Sequence, residues 1–390
     1  MVRIPKVALL IETSRGYGRG VLRGIVRYAR LHGPWAFYVS PGDFKQAVPE
    51  MEQWGGTGII ARIETPAVAQ AVLATGLPLV ALDLSAEQLA PENPLSGVAE
   101  LSPDSQAAAR MAAEHLFNRG FRHYAFVGIP NRIWSRRRED GFCQRIAEAG
   151  FQVQQYAAPR RKRDQQWARE QAVMAGWLKT LPKPVGLMAC NDDRGRQVLE
   201  ACRAAGLQVP EEVAVVGMDN DELLCELSDP PLSSVTLNAE RGGYEAAALL
   251  DALMAGQAEG PRRILVEPLG VATRRSTDVV ALDDLELARA MRFIRDRADR
   301  PICVSDIVQS TGLSRRTLEI RFRRALGRSI QTEIERVHLQ RARQLLRETD
   351  APMHHVAEAS GFGSASYLGL VFRRRWGMTP AQYRTHVRSR

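Results

Sequence analysis

Near its C-terminus the chain repeats itself at a spacing of 50 residues. Ser314, Leu318, Phe322 and Arg323-Arg324 return as Ser364, Leu368, Phe372 and Arg373-Arg374, and Gly327 returns as Gly377. A serine followed by an apolar residue four on, and another four further, marks one face of an amphipathic helix behind an N-cap. Two such basic, capped helices read as two helix-turn-helix units in tandem. That is a device for reading DNA, and the residues before it are expected to tell it when to read.

The charge follows the repeat. From Glu286 to Arg390 there are 21 Arg, no Lys and 10 Asp or Glu, a balance of +11; the whole chain carries +9, so the residues before Glu286 sum to −2. A basic excess confined to one segment points to nucleic acid, because phosphate neutralisation supplies the sequence-independent part of DNA binding. Cys143, Cys190, Cys202, Cys225 and Cys303 form no C-x-x-C pair, which argues against a disulfide framework or zinc site and fits a reducing cytoplasm. No apolar run approaches the ~20 residues of a membrane span. Val7–Ile11 runs directly into Glu12-Thr13-Ser14-Arg15 and reads as a first strand, not a signal peptide. Neither a cofactor nor a metal is expected.

From Lys6 to about Thr277 short apolar runs alternate with helical patterns. Val7–Ile11, Trp35–Val39, Gly58–Ala61, Leu79–Leu82, Tyr124–Val127, Gly186–Ala189 and Val213–Gly217 read as buried strands. Arg19–Leu31, Ala67–Ala74, Ser105–Phe117, Asp140–Ala149, Ala168–Leu178 and Arg194–Ala204 read as the helices between them. This alternation implies doubly wound parallel sheets with helices on both faces, and the length favours two lobes with a hinge near Ser102–Pro103. Residues 1–277 are thus expected to form a two-lobed effector domain, 278–284 a linker, and 285–390 an all-α DNA-binding domain.

Ligands of open α/β sheets bind beyond the carboxyl ends of strands, so the residues just after each strand are the candidates. They are Glu12, Arg15 and Tyr17; Asp83; the loop with Trp134 and Arg138; Asn191, Asp192 and Asp193; and Asp219-Asn220-Asp221. Gly16, Gly18 and Gly20 suggest a dinucleotide loop, but the third glycine of that motif would fall at Val21, and a tight strand-to-helix turn is the better reading. Carboxylates, an amide and an arginine, with Trp134 and Trp167 available, suit a polyol. Carboxylates accept adjacent hydroxyls, Arg and Asn bond the rest, and an aromatic face covers the C–H side. The alternative is that Asp192, Asp219 and Ser102 only cap the helices that follow them.

Arg138-x-x-Gly141-Phe142, Asn191-Asp192 and Val215-Val216-Gly217-Met218-Asp219 followed by Pro231–Val235 resemble the effector-binding core of the lactose and galactose repressor family, over about residues 5–277. The resemblance implies a periplasmic-binding-protein-like fold whose sugar cleft is lined by Asp83, Arg138, Trp167, Asn191 and Asp219, with Arg15 and Tyr17 from the first loop and Asp192 beside them. The Gly361-Phe362 turn, the repeated Phe-Arg-Arg and the closing Thr379-Pro380-x-x-Tyr383-Arg384 are similar to the arabinose-regulator (AraC) type of DNA-binding domain, over Leu285–Arg388. Asp219-Asn220 with Glu222-Leu223, and Ser276-Thr277-Asp278 before the linker, extend the match along the whole chain to the family of bacterial xylose operon regulators. That resemblance implies D-xylose; the residues themselves support only a small polyhydroxy ligand.

In each helix-turn-helix unit the recognition helix is expected in the major groove of double-stranded DNA, two units in one chain engaging successive grooves about 34 Å apart. Leu318 and Phe322 face the core of the first, which leaves Arg315, Arg316, Glu319 and Ile320 toward the groove, Arg316 as a guanine reader. In the second, Ser364 caps the helix, while Ala365, Ser366, Gly369 and Leu370 suit thymine methyls or close backbone approach. Arg323 and Arg373, near the helix ends, suit phosphate. The expected mechanism is that sugar closes the cleft and changes the pairing of a homodimer. Two DNA-binding domains then reach half-sites and recruit RNA polymerase. The alternatives are another sugar or a purine-like effector, repression in place of activation, or an enzyme with a DNA-binding tail. The last lacks a nucleophile–base pair or metal cluster, since none of the seven His lies just after a core strand.

Overall fold

The computed structural model describes residues 4–39, 51–159, 167–257, 262–279 and 284–388, and the chain divides into two compact units, 1–279 and 280–390. In the first, the strands are β1 (Lys6–Leu10), β2 (Ala36–Val39), β3 (Gly58–Arg62), β4 (Leu79–Leu82), β5 (Ala99–Pro103), β6 (His123–Val127), β7 (Val153–Gln155), β8 (Val185–Ala189), β9 (Val213–Met218), β10 (Ser233–Leu237), β11 (Arg263–Val266) and β12 (Pro268–Ala272). The helices among them are α1 (Gly16–His32), α2 (Met51–Trp54), α3 (Pro66–Ala74), α4 (Ser105–Phe117), α5 (Ile133–Glu148), α6 (Trp167–Thr180), α7 (Asp192–Ala205), α8 (Glu222–Leu227) and α9 (Ala239–Met254).

The strands form two sheets, ordered β11-β5-β4-β3-β1-β2 and β12-β10-β9-β8-β6-β7. All pairings are parallel except that of β10 with β12. β3, β4 and β8 are buried along their whole length, which is why their sequences, apart from Arg62 at the end of β3, are apolar runs instead of alternating ones. Each sheet with its helices is one lobe.

The chain passes between the lobes three times. After Pro103, α4 packs on β8, β10 and β12; after Leu237, α9 returns to β3, β4 and β5; and Glu267 alone separates β11 from β12. The crossing near Ser102–Pro103 is legible in sequence. The other two are not, because Ser233 and Ser234 of β10 are polar yet fully buried and break any hydrophobic pattern. Buried hydrogen bonds satisfy them: Thr277 Oγ1 donates to Ser233 Oγ at 2.7 Å, and Ser234 Oγ donates to Asp192 Oδ1 at 2.5 Å.

The glycine-rich start of α1 is packing, not phosphate binding. A Cβ on Gly18 would lie 2.1 Å from the Glu12 carbonyl oxygen, and one on Gly24 would lie 1.9 Å from that of Glu240. These glycines let α1 lie directly on the loop before it and on α9.

The second unit holds α10 (Leu285–Asp296), α11 (Val304–Ser310), α12 (Arg315–Leu326), α13 (Ile330–Glu348), α14 (Met353–Ala359), α15 (Ala365–Trp376) and α16 (Pro380–Arg388). It has two small cores. Leu318 and Phe322 pack with Met291, Ile294 and Ile334 in one; Leu368 and Phe372 pack with Leu346 and Val356 in the other. The 50-residue repeat now has a physical content. Ser314 and Ser364 accept the backbone N–H groups of Thr317 and Tyr367, and Gly327 and Gly377 end their helices at φ 65° and 72°. Each copy is therefore an N-cap, two core residues and a left-handed C-cap. Helix α13 serves both cores, with Ile334 and Val337 in the first and Leu339, Ala342 and Leu346 in the second.

Candidate effector-binding site and nucleic-acid interface

Between the two lobes lies a cavity of about 340 Å³, counted with its opening to solvent, lined by Glu12, Arg15, Tyr17, Arg62, Asp83, Pro103, Trp134, Arg138, Asn191 and Asp219. The first lobe contributes the loop after β1 and the ends of β3 and β4; the second contributes α5, the start of α7 and the end of β9. Eight of the sequence candidates meet here: Glu12, Arg15, Tyr17, Asp83, Trp134, Arg138, Asn191 and Asp219.

Two clusters of buried charge face each other across it. Arg62 donates from Nε to Glu12 Oε2 at 2.9 Å and from Nη1 to Asp83 Oδ2. Burial opposes the guanidinium charge, but Glu12 and then Asp83 outweigh it, and the net shift of its pKa is upward. On the other side Arg138 donates from Nη2 to Asp219 Oδ1 at 2.7 Å and from Nη1 to the Cys190 carbonyl at 2.6 Å. Its guanidinium lies 5.2 Å from the centre of the Trp134 ring. Burial, and then the Asp83 carboxylate, push the Tyr17 phenol well above its usual range, so it stays a hydrogen-bond donor.

Three polar atoms on this lining are buried without a partner: Tyr17 Oη, Asp83 Oδ1 and Arg138 Nε. Buried polar groups are nearly always paired, and each unpaired one costs about 1–3 kcal/mol. A phenol donor, a carboxylate acceptor and a guanidinium donor left open around one small space are what a polyhydroxylated molecule would satisfy. The backbone agrees: Asp83 and Asp219 sit at positive φ, 54° and 96°, and Asn220 follows at 48°. Such backbone is sparsely populated outside glycine and concentrates at functional sites. It aims two carboxylates, each just past the end of its strand, into the cleft.

The lobes are also tied directly. Arg15 meets Asp193 at 2.7 Å and Arg19 meets Asp221 at 2.5 Å, each pair spanning the cleft.

Other candidates stand elsewhere. Asp192 does not line the cavity: it accepts from the Asp221 backbone N–H at 2.7 Å and from Ser234, holding the turn after β9 from behind. Burial first, and Asp219 second, push its pKa well up. Asn191 both lines the cavity and caps α7, accepting the Arg194 N–H at 3.0 Å. The cap of α4 is Asp104, not Ser102. Trp167 opens α6, but its side chain lies outside the described residues. Arg62 was missed by sequence reasoning. The available signal was a charged residue inside the apolar run Gly58-Ile59-Ile60-Ala61-Arg62-Ile63.

On the DNA-binding unit, Arg315, Arg316, Glu319 and Arg323 of α12 are exposed, and so are Ser364, Ser366 and Arg373 at and along α15, with Gly369 half-buried. Arg315 and Glu319 form an exposed pair at 3.0 Å, so Arg316 is the α12 cation nearest the helix start that holds no such pairing with Glu319. Ile320 and Leu370, one repeat apart, are 59% and 62% exposed. Large apolar side chains at equivalent positions of both helices have no packing role in this unit and suit thymine methyl contacts.

Family models match in three stretches: the XylR N-terminal domain over 6–99, the periplasmic binding protein-like domain over 113–277 and a helix-turn-helix domain over 307–386. Fold and site together define a sugar-responsive transcription regulator with an AraC-type DNA reader. The chain is 33% identical to the xylose operon regulatory protein of Escherichia coli (strain K12), covering 97% of this chain and 96% of that one. It is likewise 33% identical to that of Haemophilus influenzae (strain Rd), covering 97% and 98%. The chain belongs to the xylose operon regulatory protein family. A solved structure of xylose-binding transcription activator xylR superposes with TM-score 0.78 at 31% identity, covering 98% of both chains. The CelR–cellobiose complex, at 24% identity and TM-score 0.56 over 70% of this chain, shares the fold of the first unit.

Proposed function

We propose that the cavity between the lobes binds a pentose, D-xylose, and that this binding switches the protein on as an activator of pentose-catabolic genes. The observation that carries the reading is the set of buried, unpartnered hydrogen-bonding atoms, Tyr17 Oη, Asp83 Oδ1 and Arg138 Nε, on the lining of one cavity between the lobes. The names of the relatives supply the sugar; the cavity supplies the chemistry that would hold it. Arg15, Asn191 and Asp219 complete the contacts, and Trp134 offers its face to the sugar's C–H side.

Sugar bound between the lobes strengthens their closure, already bridged by Arg15–Asp193 and Arg19–Asp221. Closure changes the pairing of two protomers in a homodimer, and the paired α12 and α15 helices engage half-sites where they recruit RNA polymerase. Sugar shifts this equilibrium only by its differential affinity for the two arrangements. The protein acts in the cytoplasm, where the DNA is, and performs no chemistry on its ligand. No helix among the described residues is long and apolar enough to cross a membrane.

Thermal shifts against a panel of pentoses, hexoses and nucleobases test the reading. D-xylose is expected to give the largest rise in melting temperature. A larger rise with a nucleobase or a hexose overturns the pentose assignment.

A further inference from the structure

The cleft does not end at the inner cavity. Arg62, Asp83 and Trp134 line that cavity and also a second, outer one. Counted with their openings to solvent, the outer chamber has about 1500 Å³ and the inner about 340 Å³. It is framed by α3 and the loop after β4 on the first lobe, and by residues 131–134 on the second. Glu64 of the first lobe and Arg132 of the second form an ion pair across it. The inner space is several times smaller than the outer one, so on the pentose reading it takes one ring at most. A one-ring ligand therefore leaves the outer chamber to water.

The chemistry of the outer wall matches that of a second ring. Leu73 and Ile133 give apolar surface, while Gln70 and Asn93 give amides. The junction holds Trp134, 8% exposed, and Asp83, 7% exposed, whose Oδ1 has no partner. An unpaired carboxylate oxygen in a wall common to both chambers is placed to accept a hydroxyl from a ligand that extends through both. Arg62 fixes it there through the other oxygen.

We propose that the cleft is a two-subsite glycan site: the inner cavity holds one pentose ring, and the outer chamber holds a second pyranose of a β-linked disaccharide or the aglycone of a pentoside. Asp83 and Trp134 are the boundary residues that both rings touch. The proposal rests on the pentose reading of the inner cavity, and the test separates the two.

The test is isothermal titration of the full-length chain with D-xylose, β-1,4-xylobiose and 4-nitrophenyl β-D-xyloside, repeated on Ala69→Trp, which fills the outer chamber from α3. Xylobiose or the aryl xyloside is expected to bind within about tenfold of xylose or tighter, and Ala69→Trp to weaken it by roughly tenfold or more while changing xylose by less than about twofold. Should Ala69→Trp also lose xylose binding, Gln70→Trp, from an exposed position on the same wall, replaces it. Xylose binding with neither two-part ligand detectable at millimolar concentration overturns the outer subsite and leaves the pentose reading intact. Two-part binding that both tryptophan variants leave unchanged also overturns the outer subsite. Failure of all three ligands overturns the pentose reading and the subsite with it.

Discussion

Arg138 and Asp219 meet in a double hydrogen bond, Nη2 to Oδ1 at 2.7 Å and Nη1 to Oδ2 at 3.3 Å, with the arginine almost wholly buried. They come from α5 and the end of β9, and the pairing leaves Arg138 Nε buried without a partner. It holds a cation and an anion at fixed positions on the second-lobe side of the site.

Asp219→Asn keeps the shape and removes the charge. Charge-assisted hydrogen bonds contribute about 1.5–3 kcal/mol, so the Kd for sugar is expected to rise by roughly 10- to 100-fold. Titration calorimetry reads the change. An unaltered Kd would exclude Asp219 from ligand contact.

Arg62→Met leaves Glu12 and Asp83 buried side by side without their shared cation. Breaking a buried pair in this way costs about 3–5 kcal/mol, and denaturant unfolding of the protein is expected to show a loss of that order. The triple variant with Glu12→Gln and Asp83→Asn should recover much of it. A triple variant no more stable than Arg62→Met would show that charge is not the cause.

His115 sits buried with Nε2 2.7 Å from Thr277 Oγ1. Burial first, and Arg119 second, lower its pKa to about 3, with Asp278 opposing. An unfolded histidine titrates near pH 6.5. Between these values the unfolded chain binds a proton that the native one does not, so the stability is present above about pH 6.5 and is lost as pH falls toward 3. The melting temperature is expected to fall more steeply from pH 7 to 4 in the wild type than in His115→Gln. Parallel slopes would refute this.

Arg316→Ala and Arg373→Ala are expected to weaken DNA binding in different ways. Arg316→Ala should cost about 1–3 kcal/mol and relax specificity at one position, while Arg373→Ala should weaken all sites evenly and reduce the salt slope by about 1. Anisotropy titrations over a panel of site variants at several salt concentrations distinguish them. Uniform weakening by Arg316→Ala would make it a phosphate contact.

Gly361 and Gly369 should respond oppositely to alanine. Gly361 has φ 76°, and a Cβ there would lie 2.6 Å from the His338 ring, whereas nothing lies within 4 Å of a Cβ on Gly369. Gly361→Ala is expected to destabilise the second helix-turn-helix by more than about 1 kcal/mol. Gly369→Ala should stabilise helix α15 by up to about 1 kcal/mol and weaken DNA binding through the space its methyl takes. Thermal melts with DNA titrations check both.

The DNA-reading unit was legible because its information is local. Cap, core and C-cap lie within one helix and its ends, so Ser314, Leu318, Phe322 and Gly327 announce the element without reference to anything distant. The strand ends were legible for the same reason: an apolar run followed by Asp83, Asn191 or Asp219 places those residues beyond the sheet. Arg62 was not, because its partners Glu12 and Asp83 lie 50 and 21 residues away. Asp192 shows the same limit from the other side. Its position after a strand suits a cleft, and only the return of β10 puts Ser234 against it.

The sequence by itself determined the class of each unit, the parallel sheets, the tandem readers and the strand ends that line the cleft, because period, capping and charge act over short stretches of chain. Tertiary structure alone decided which polar groups share one cavity, which of them are already paired and which stand without a partner. Those are properties of burial, and burial depends on segments that the fold brings together from opposite lobes.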